Sequence, residues 1–190
     1  GRYSVEDFSK IRDTKIIELS DNEIENYVQT PWDLEGVDYL HLTSNETING
    51  VQLREFNKIQ HDSLLIDMSS DIGSYSFEWD NLAYVYAGAQ KNMGIPGVSI
   101  CIGNEKYLNS DDNSRYLNLG QLVEKNSLLN TPPTFSIYVL KLVTDWMIEM
   151  GGIKYFEEKS IRQSSRLYEQ LQTYEEFLIL PVNEYSKSRS

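Results

Sequence analysis

The chain has 190 residues and a mass of 22.0 kDa, enough for one domain with a sizeable core. Hydrophobic residues make up 40% and charged residues 24%, the balance of a folded soluble domain and not of a disordered chain. A net charge of −12 excludes a sequence-independent binder of nucleic-acid phosphates, and no apolar run has the length of a membrane span.

In chain order, residues 1–13 predict a short helix entered through Ser4, with Asp7 completing a capping box and Val5, Phe8 and Ile11 as its apolar stripe. A short strand is expected over 15–19. The acidic stretch 21–36, broken by Pro31, reads as a surface helix and loop. A buried strand follows over 37–42, then SNETING at 44–50, and 51–53 could return as a hairpin arm. Three apolar runs come next: Leu64-Leu65-Ile66, Leu82 to Tyr86, and Val98 to Ile102. Continuous runs of this kind suit strands covered on both faces. Cys101, inside the third, reads as a small buried hydrophobe; a lone cysteine forms no internal disulfide and fits a reducing compartment.

Residues 103–129 are polar and irregular and predict a long loop, with a turn signal at Asp111-Asp112-Asn113. Pro132 and Pro133 introduce a helix from about Thr134 to Met150, apolar on most of its circumference and therefore expected to be buried. Gly151-Gly152 ends it. An amphipathic helix is expected from Ile153 to about Tyr174, with Phe156, Leu167 and Leu171 inward and Glu157, Glu158, Lys159, Arg162 and Arg166 outward. Pro181 and the serine-rich end read as a hinge. Strands separated by crossovers, with polar residues at their ends, give an α/β sheet, and ligands of such sheets sit at the strand carboxyl ends. Asp67, Ser69 and Ser70 follow one run; Gln90, Lys91 and Asn92 follow the next.

Four motifs carry a specific resemblance: SNETING, DMSSD at 67–71, AGAQKN at 87–92 and NTPPT at 130–134. In this order and at this spacing the chain resembles the phosphoserine aminotransferases, fold-type I enzymes dependent on pyridoxal phosphate. The resemblance runs from Gly1 to Ser190 but matches only the middle of the family's chain, and the absence of an initiator Met suggests a fragment or processed chain. It implies a three-layer α/β/α, mainly parallel sheet of the large domain, incomplete here. Residues 1–180 would belong to that domain and 181–190 would begin the link to an absent small domain. The implied reaction exchanges O-phosphoserine and 2-oxoglutarate for 3-phosphohydroxypyruvate and glutamate in serine biosynthesis, in the cytoplasm and in a homodimer. The 190 residues alone are expected to be inactive. A sibling of the alanine–glyoxylate aminotransferase or cysteine desulfurase type is the alternative within the fold, and an inactive scaffold the alternative outside it.

Pyridoxal phosphate asks the protein for a lysine to hold its aldehyde, an acid against the pyridine nitrogen, contacts to the ring faces and donors for the phosphate. By composition alone Lys91 is a solvated lysine at a strand end; the match of AGAQKN makes it the residue that holds the aldehyde and moves the proton. The resemblance makes Asp67 the partner of the pyridine nitrogen, whereas DMSSD by itself reads as a helix N-cap supplied by the serines. It implies that Thr47 bonds the phenolic oxygen, that Gln90 donates to the phosphate, and that Asn130 and Thr131 reach the phosphate in the other subunit. Tyr3 stands where the family usually has a stacking tryptophan, and Gly94-Ile95-Pro96-Gly97 departs from the usual Gly-Pro-Ala/Ser-Gly. His41 and His61 lack partners at metal-ligand spacing and read as satisfied or exposed histidines.

Overall fold

A computed structural model describes residues 9–10, 13–17, 27, 30–108, 118–180 and 182–190. Tyr3, the expected first helix, Pro181 and the 111–113 turn lie outside the described residues. The centre is a four-stranded sheet in the order β1-β4-β5-β6, formed by β1 (Leu40–Thr43), β4 (Leu64–Asp67), β5 (Leu82–Gly88) and β6 (Ser99–Gly103). The first three run parallel; β6 is antiparallel to β5, so the sheet is mixed but mostly parallel. A separate two-stranded hairpin, β2 (Asn45–Glu46) and β3 (Val51–Gln52), follows β1 directly.

Side chains alternate across a strand, and here the alternation separates two environments. Leu40, Leu64, Ile66, Val85 and Ala87 point to one face and are buried with Phe56, Ile59, Met68 and Ile72. Tyr27 joins that core, so the 21–36 stretch contributes more than surface; among its described residues there is no helix. The opposite face carries His41, Thr43, Leu65, Asp67, Tyr84 and Tyr86, all half-exposed. The expectation of strands covered on both faces therefore holds for one face only. A run such as Leu-Leu-Ile does not say which of its residues meets a neighbour, because every second one points away.

Other corrections share that cause. Strand β6 lies at the sheet edge with its residues exposed or half-exposed, and Cys101 is exposed rather than buried. Residues Lys15 to Ile17 form no strand; the Lys15 ammonium instead pairs with the Asp33 carboxylate. The described part of the 103–129 stretch holds two short helices, α1 (Glu105–Leu108) and α2 (Leu119–Glu124), the second capped by Asn118 Oδ1 accepting from Gln121 N at 3.1 Å. The long helix α3 (Thr134–Glu149) falls where expected, yet only Ser136 and Met147 are buried on it, and Phe135 is 70% exposed. Helix α4 (Gly152–Gln172) turns back against α3 through Trp146 and Phe156, whose rings meet edge-on at 5.1 Å, while Leu167 faces solvent.

Helix α3 packs on the sheet's carboxyl end by a close approach. Gly73 has φ +76°, which favours glycine, and a Cβ there would come within 3.1 Å of Met147 Cε, so the methionine would have to give way slightly. Residues 182–190 run beside the hairpin: Gln52 N donates to Ser186 O at 2.8 Å and Ser188 N to Gly50 O at 2.8 Å. Lys187 bridges Val51, and its ammonium lies 4.9 Å from the Tyr168 ring of α4. No helix among the described residues is long and apolar enough to cross a membrane.

Candidate active site

The parallel strands β1, β4 and β5 deliver three polar turns to one edge of the sheet. Asp67 ends β4, paired in register with Thr43 on one side and Tyr86 on the other. Its Oδ1 accepts from Ser69 N at 2.9 Å. Ile72 N reaches Met68 O at 2.9 Å, but Gly73 stops the chain after this single turn, so no helix follows. The aspartate caps the turn, not the serines, in the manner of an Asx-turn. Lys91 lies in the turn after β5, which is closed by Met93 N donating to Ala89 O and Ala89 N to Val98 O, each at 3.0 Å.

Thr47 sits at the tip of the hairpin, and Lys91 Nζ donates to its Oγ1 at 3.1 Å across a separation of 44 residues. Both side chains are exposed. The structure thus brings Lys91 to Thr47 and sets Asp67 at the neighbouring strand end. Gln90 is exposed and folds back over Gly88, where an added Cβ would lie 3.0 Å from Gln90 Cδ; a side chain at 88 would have to displace it. Asn130 and Thr131 precede α3 on an exposed segment, and neither side chain is hydrogen-bonded among the described residues. No hydrogen bond joins either of them to Lys91. The departing loop 94–97 is held by Ser136 Oγ donating to Pro96 O at 2.9 Å, which seats the start of α3 beside the Lys91 turn.

The three turns are laced together by polar groups to most of which the motif reading gave no role. Ser44 N donates to Asp67 O at 3.0 Å, and its hydroxyl donates to Asp71 Oδ1 at 2.6 Å while lying 3.1 Å from Asp67 O. Gln52 Nε2 donates to Asp71 Oδ2 at 3.1 Å. Asp71 is fully buried, and that burial pushes its carboxyl above the ordinary range despite these donors. Gly88 N donates to Ser69 Oγ at 3.2 Å, and Asn92 Nδ2 to Ile72 O at 2.5 Å. A signal for Asp71 existed: it sits four residues after Asp67, one helical turn on, in a segment otherwise apolar or small.

On the polar face, His41 Nε2 lies 2.9 Å from Tyr86 Oη, with the rings stacked at 5.9 Å and 28°. Burial pushes the Tyr86 phenol up, and the Asp67 charge and hydrogen bond add to it; burial pushes the His41 imidazole down, while the Asp67 charge opposes that. His61, by contrast, is tied to backbone alone: Val37 O at 3.1 Å from Nε2, and Ser63 N donating to Nδ1 at 3.1 Å. Both histidines are satisfied, as the sequence suggests.

The sheet, its strand ends and the spacing of these motifs can be set against known proteins. The model of one family, aminotransferase class V, matches residues 10–190. The chain belongs to the class V aminotransferases. Phosphoserine aminotransferase of Bacillus cereus is 36% identical to this class V chain over 173 residues, covering 88% of the chain and 48% of the relative. The solved phosphoserine aminotransferase of Bacillus circulans subsp. alkalophilus superposes with a TM-score of 0.75 at 38% identity, covering 80% of this chain and 42% of that one. A pyridoxal-phosphate-bound phosphoserine aminotransferase of Trichomonas vaginalis gives a TM-score of 0.73 at 28% identity, covering 80% and 45%. The chain spans about half the length of the curated relatives it matches. Family and fold are those that the four motifs imply.

Proposed function

We propose that this class V chain is the part of a phosphoserine aminotransferase that holds pyridoxal phosphate, with Lys91, Asp67, Thr47 and Gln90 as its contacts within one protomer. The observation that carries the reading is the meeting of Lys91 Nζ and Thr47 Oγ1 at 3.1 Å beside the Asp67 strand end. The donor set fits the group: an amine for an aldehyde, a carboxylate for a ring nitrogen, a hydroxyl for a phenolic oxygen. When bound, the cofactor supplies an electron sink for negative charge at the substrate's α-carbon. Lys91 Nζ takes and returns the proton at that carbon, and the Asp67 carboxylate stands as charge partner to a cationic nitrogen. Thr47 Oγ1 orients the amine.

Asn130 and Thr131, exposed and without a side-chain hydrogen bond among the described residues, are assigned to the cofactor phosphate of a second copy, which makes the working unit a homodimer. Tyr3 is assigned to stacking on the ring. Residues 1–180 form the cofactor-binding domain and 181–190 lead out of it. The reaction assigned to the parent protein interconverts O-phosphoserine plus 2-oxoglutarate with 3-phosphohydroxypyruvate plus glutamate, in the cytoplasm; the names of the 36–44% identical relatives support this choice over the alanine–glyoxylate or desulfurase type.

Borohydride reduction of the chain mixed with pyridoxal phosphate, followed by peptide mass mapping, tests the reading. The cofactor mass is expected on Lys91, with a near-ultraviolet or visible band that Lys91→Ala abolishes. Label scattered over exposed lysines with no band would overturn it and leave an inactive scaffold.

A further inference from the structure

We propose that Asn45 and Gln52 are positioning residues for Thr47, a pair of side-chain amides that fixes the hairpin between the Asp67 turn and residues 188–189. The effect on a cofactor rests on the function proposed above; the fixing of the hairpin does not.

The hairpin cannot hold itself. It has only two residue pairs, Asn45 with Gln52 and Glu46 with Val51, and a two-stranded ribbon of that length is marginal in water. Its tip nevertheless carries Thr47, whose Oγ1 accepts from Lys91 Nζ at 3.1 Å. The anchors must therefore come from outside the ribbon. Asn45 and Gln52 stand directly opposite one another, so their side chains share one face, and both residues are almost fully buried, 3% and 2% exposed.

Each amide makes the same two connections. Its nitrogen donates to the turn after β4: Asn45 Nδ2 to Ser70 Oγ at 2.9 Å, and Gln52 Nε2 to Asp71 Oδ2 at 3.1 Å. Its oxygen accepts from residues 188–189: Asn45 Oδ1 from Ser188 Oγ at 2.6 Å, and Gln52 Oε1 from Arg189 N at 3.0 Å. Ser70 answers Asn45 by donating its one hydroxyl proton to Asn45 O at 2.8 Å. Ser190 Oγ donates to Ser70 O at 2.7 Å, which joins the outer two segments to each other. An amide suits this place because it offers donor and acceptor at once and brings no charge into the interior. Thr47 lies two residues beyond Asn45 and inherits its position. Gln52 shares its bonds with the Asp71 carboxylate and with Arg54 Nη1 at 3.4 Å, whereas the Asn45 amide bonds to hydroxyls alone and is the cleaner residue to change.

Hydrogen exchange on the 190-residue chain, read peptide by peptide, tests the fixing without a cofactor. Asn45→Ala is expected to speed exchange over 45–53 by about tenfold or more, with a smaller change over β5. Ser188→Ala removes one half-buried hydroxyl, keeps the bond to Ser70, and is expected to speed the same peptide by a smaller factor. A uniform rise along the chain in Asn45→Ala, or unchanged exchange over 45–53 in Ser188→Ala, sinks the proposal; the second variant decides alone if the first does not fold. The route through Thr47 is read from the affinity for pyridoxal phosphate, by titrating its absorbance band. Thr47→Ala and Asn45→Ala are each expected to weaken binding about five- to tenfold, and the double variant to lie within about twofold of Thr47→Ala. A misplaced threonine and a missing one lose the same bond. Circular dichroism of the band at saturation, which reports how the ring is held, is expected to change alike in the two single variants. Losses that multiply, or an Asn45→Ala chain with wild-type affinity and dichroism, refute the route through Thr47. Absence of any band in the wild type counts against the cofactor reading instead, and the exchange measurement still decides the fixing of the hairpin.

Discussion

The two faces of the central sheet are made by the same strands and differ in nearly everything else. Residues one apart on β4, Ile66 and Asp67, are respectively fully buried and half-exposed at the strand end. The buried face is apolar, closed by Phe56, Ile59 and Met68, and makes no use of charge. The other face carries a histidine, an aspartate and two tyrosines, with His41 Nε2 against Tyr86 Oη and Asp67 Oδ1 accepting from Ser69 N. Stability and chemistry are thus segregated at a spacing of one residue, and either face can be altered without the other.

The largest expected effect tests that segregation directly. Ile66→Ala removes a fully buried side chain and is expected to cost about 2–5 kcal/mol in urea unfolding. Asp67→Ala, the next residue, is expected to leave stability within about 1 kcal/mol while abolishing cofactor capture. Equal losses from the two would break the comparison. A smaller effect sharpens it at the strand ends, where the faces meet. Ser44→Ala strips a donor from buried Asp71 and is expected to cost about 1–3 kcal/mol, read as a lowered unfolding midpoint. A loss below the error of the melt would mean that the lacing of the three turns is incidental.

The smallest effect is a dependence on pH. Burial holds the Asp71 carboxyl above its ordinary range, so the folded chain binds that proton more tightly than the unfolded chain does. Its contribution is fully present below the ordinary carboxylate range and is lost as pH rises through the raised value. Relative to Asp71→Asn, the wild type is therefore expected to lose stability as pH rises through that window. A gap between the two that widens in the wild type's favour on raising the pH would contradict the assignment.

How much of this the sequence carried depends on the range of the interaction. Lys91, Asp67 and Thr47 were legible because each sits in a motif whose local chain already fixes the turn. The contact of Lys91 with Thr47 and the placing of Asp67 at the adjacent strand end follow from neighbouring strands and the hairpin beside them. The exposure of Phe135 and of Cys101 was not legible: an apolar residue on a helix or edge strand records what it can bury against, not whether this chain supplies the partner. Tyr27 was missed for the converse reason. It stands in an acidic stretch, and only the fold reveals that its ring closes the core, with its hydroxyl accepting from Glu55 N at 2.5 Å. Asp71 was hidden by the same motif that exposed Asp67, because DMSSD reads as one turn and the structure uses its two acids for different purposes.

The strict alternation along β4 bears on how this lineage can change length. One residue inserted between Leu64 and Asp67 would swing the carboxylate into the hydrocarbon interior and turn an isoleucine outward, an error no compensating point change repairs. Residues added to the connection at 74–80 would leave both strand ends where they are, since parallel partners are spaced by the sheet and not by the crossover. Gaps and insertions among descendants of this sequence should accordingly gather in the crossovers and spare the four residues of β4.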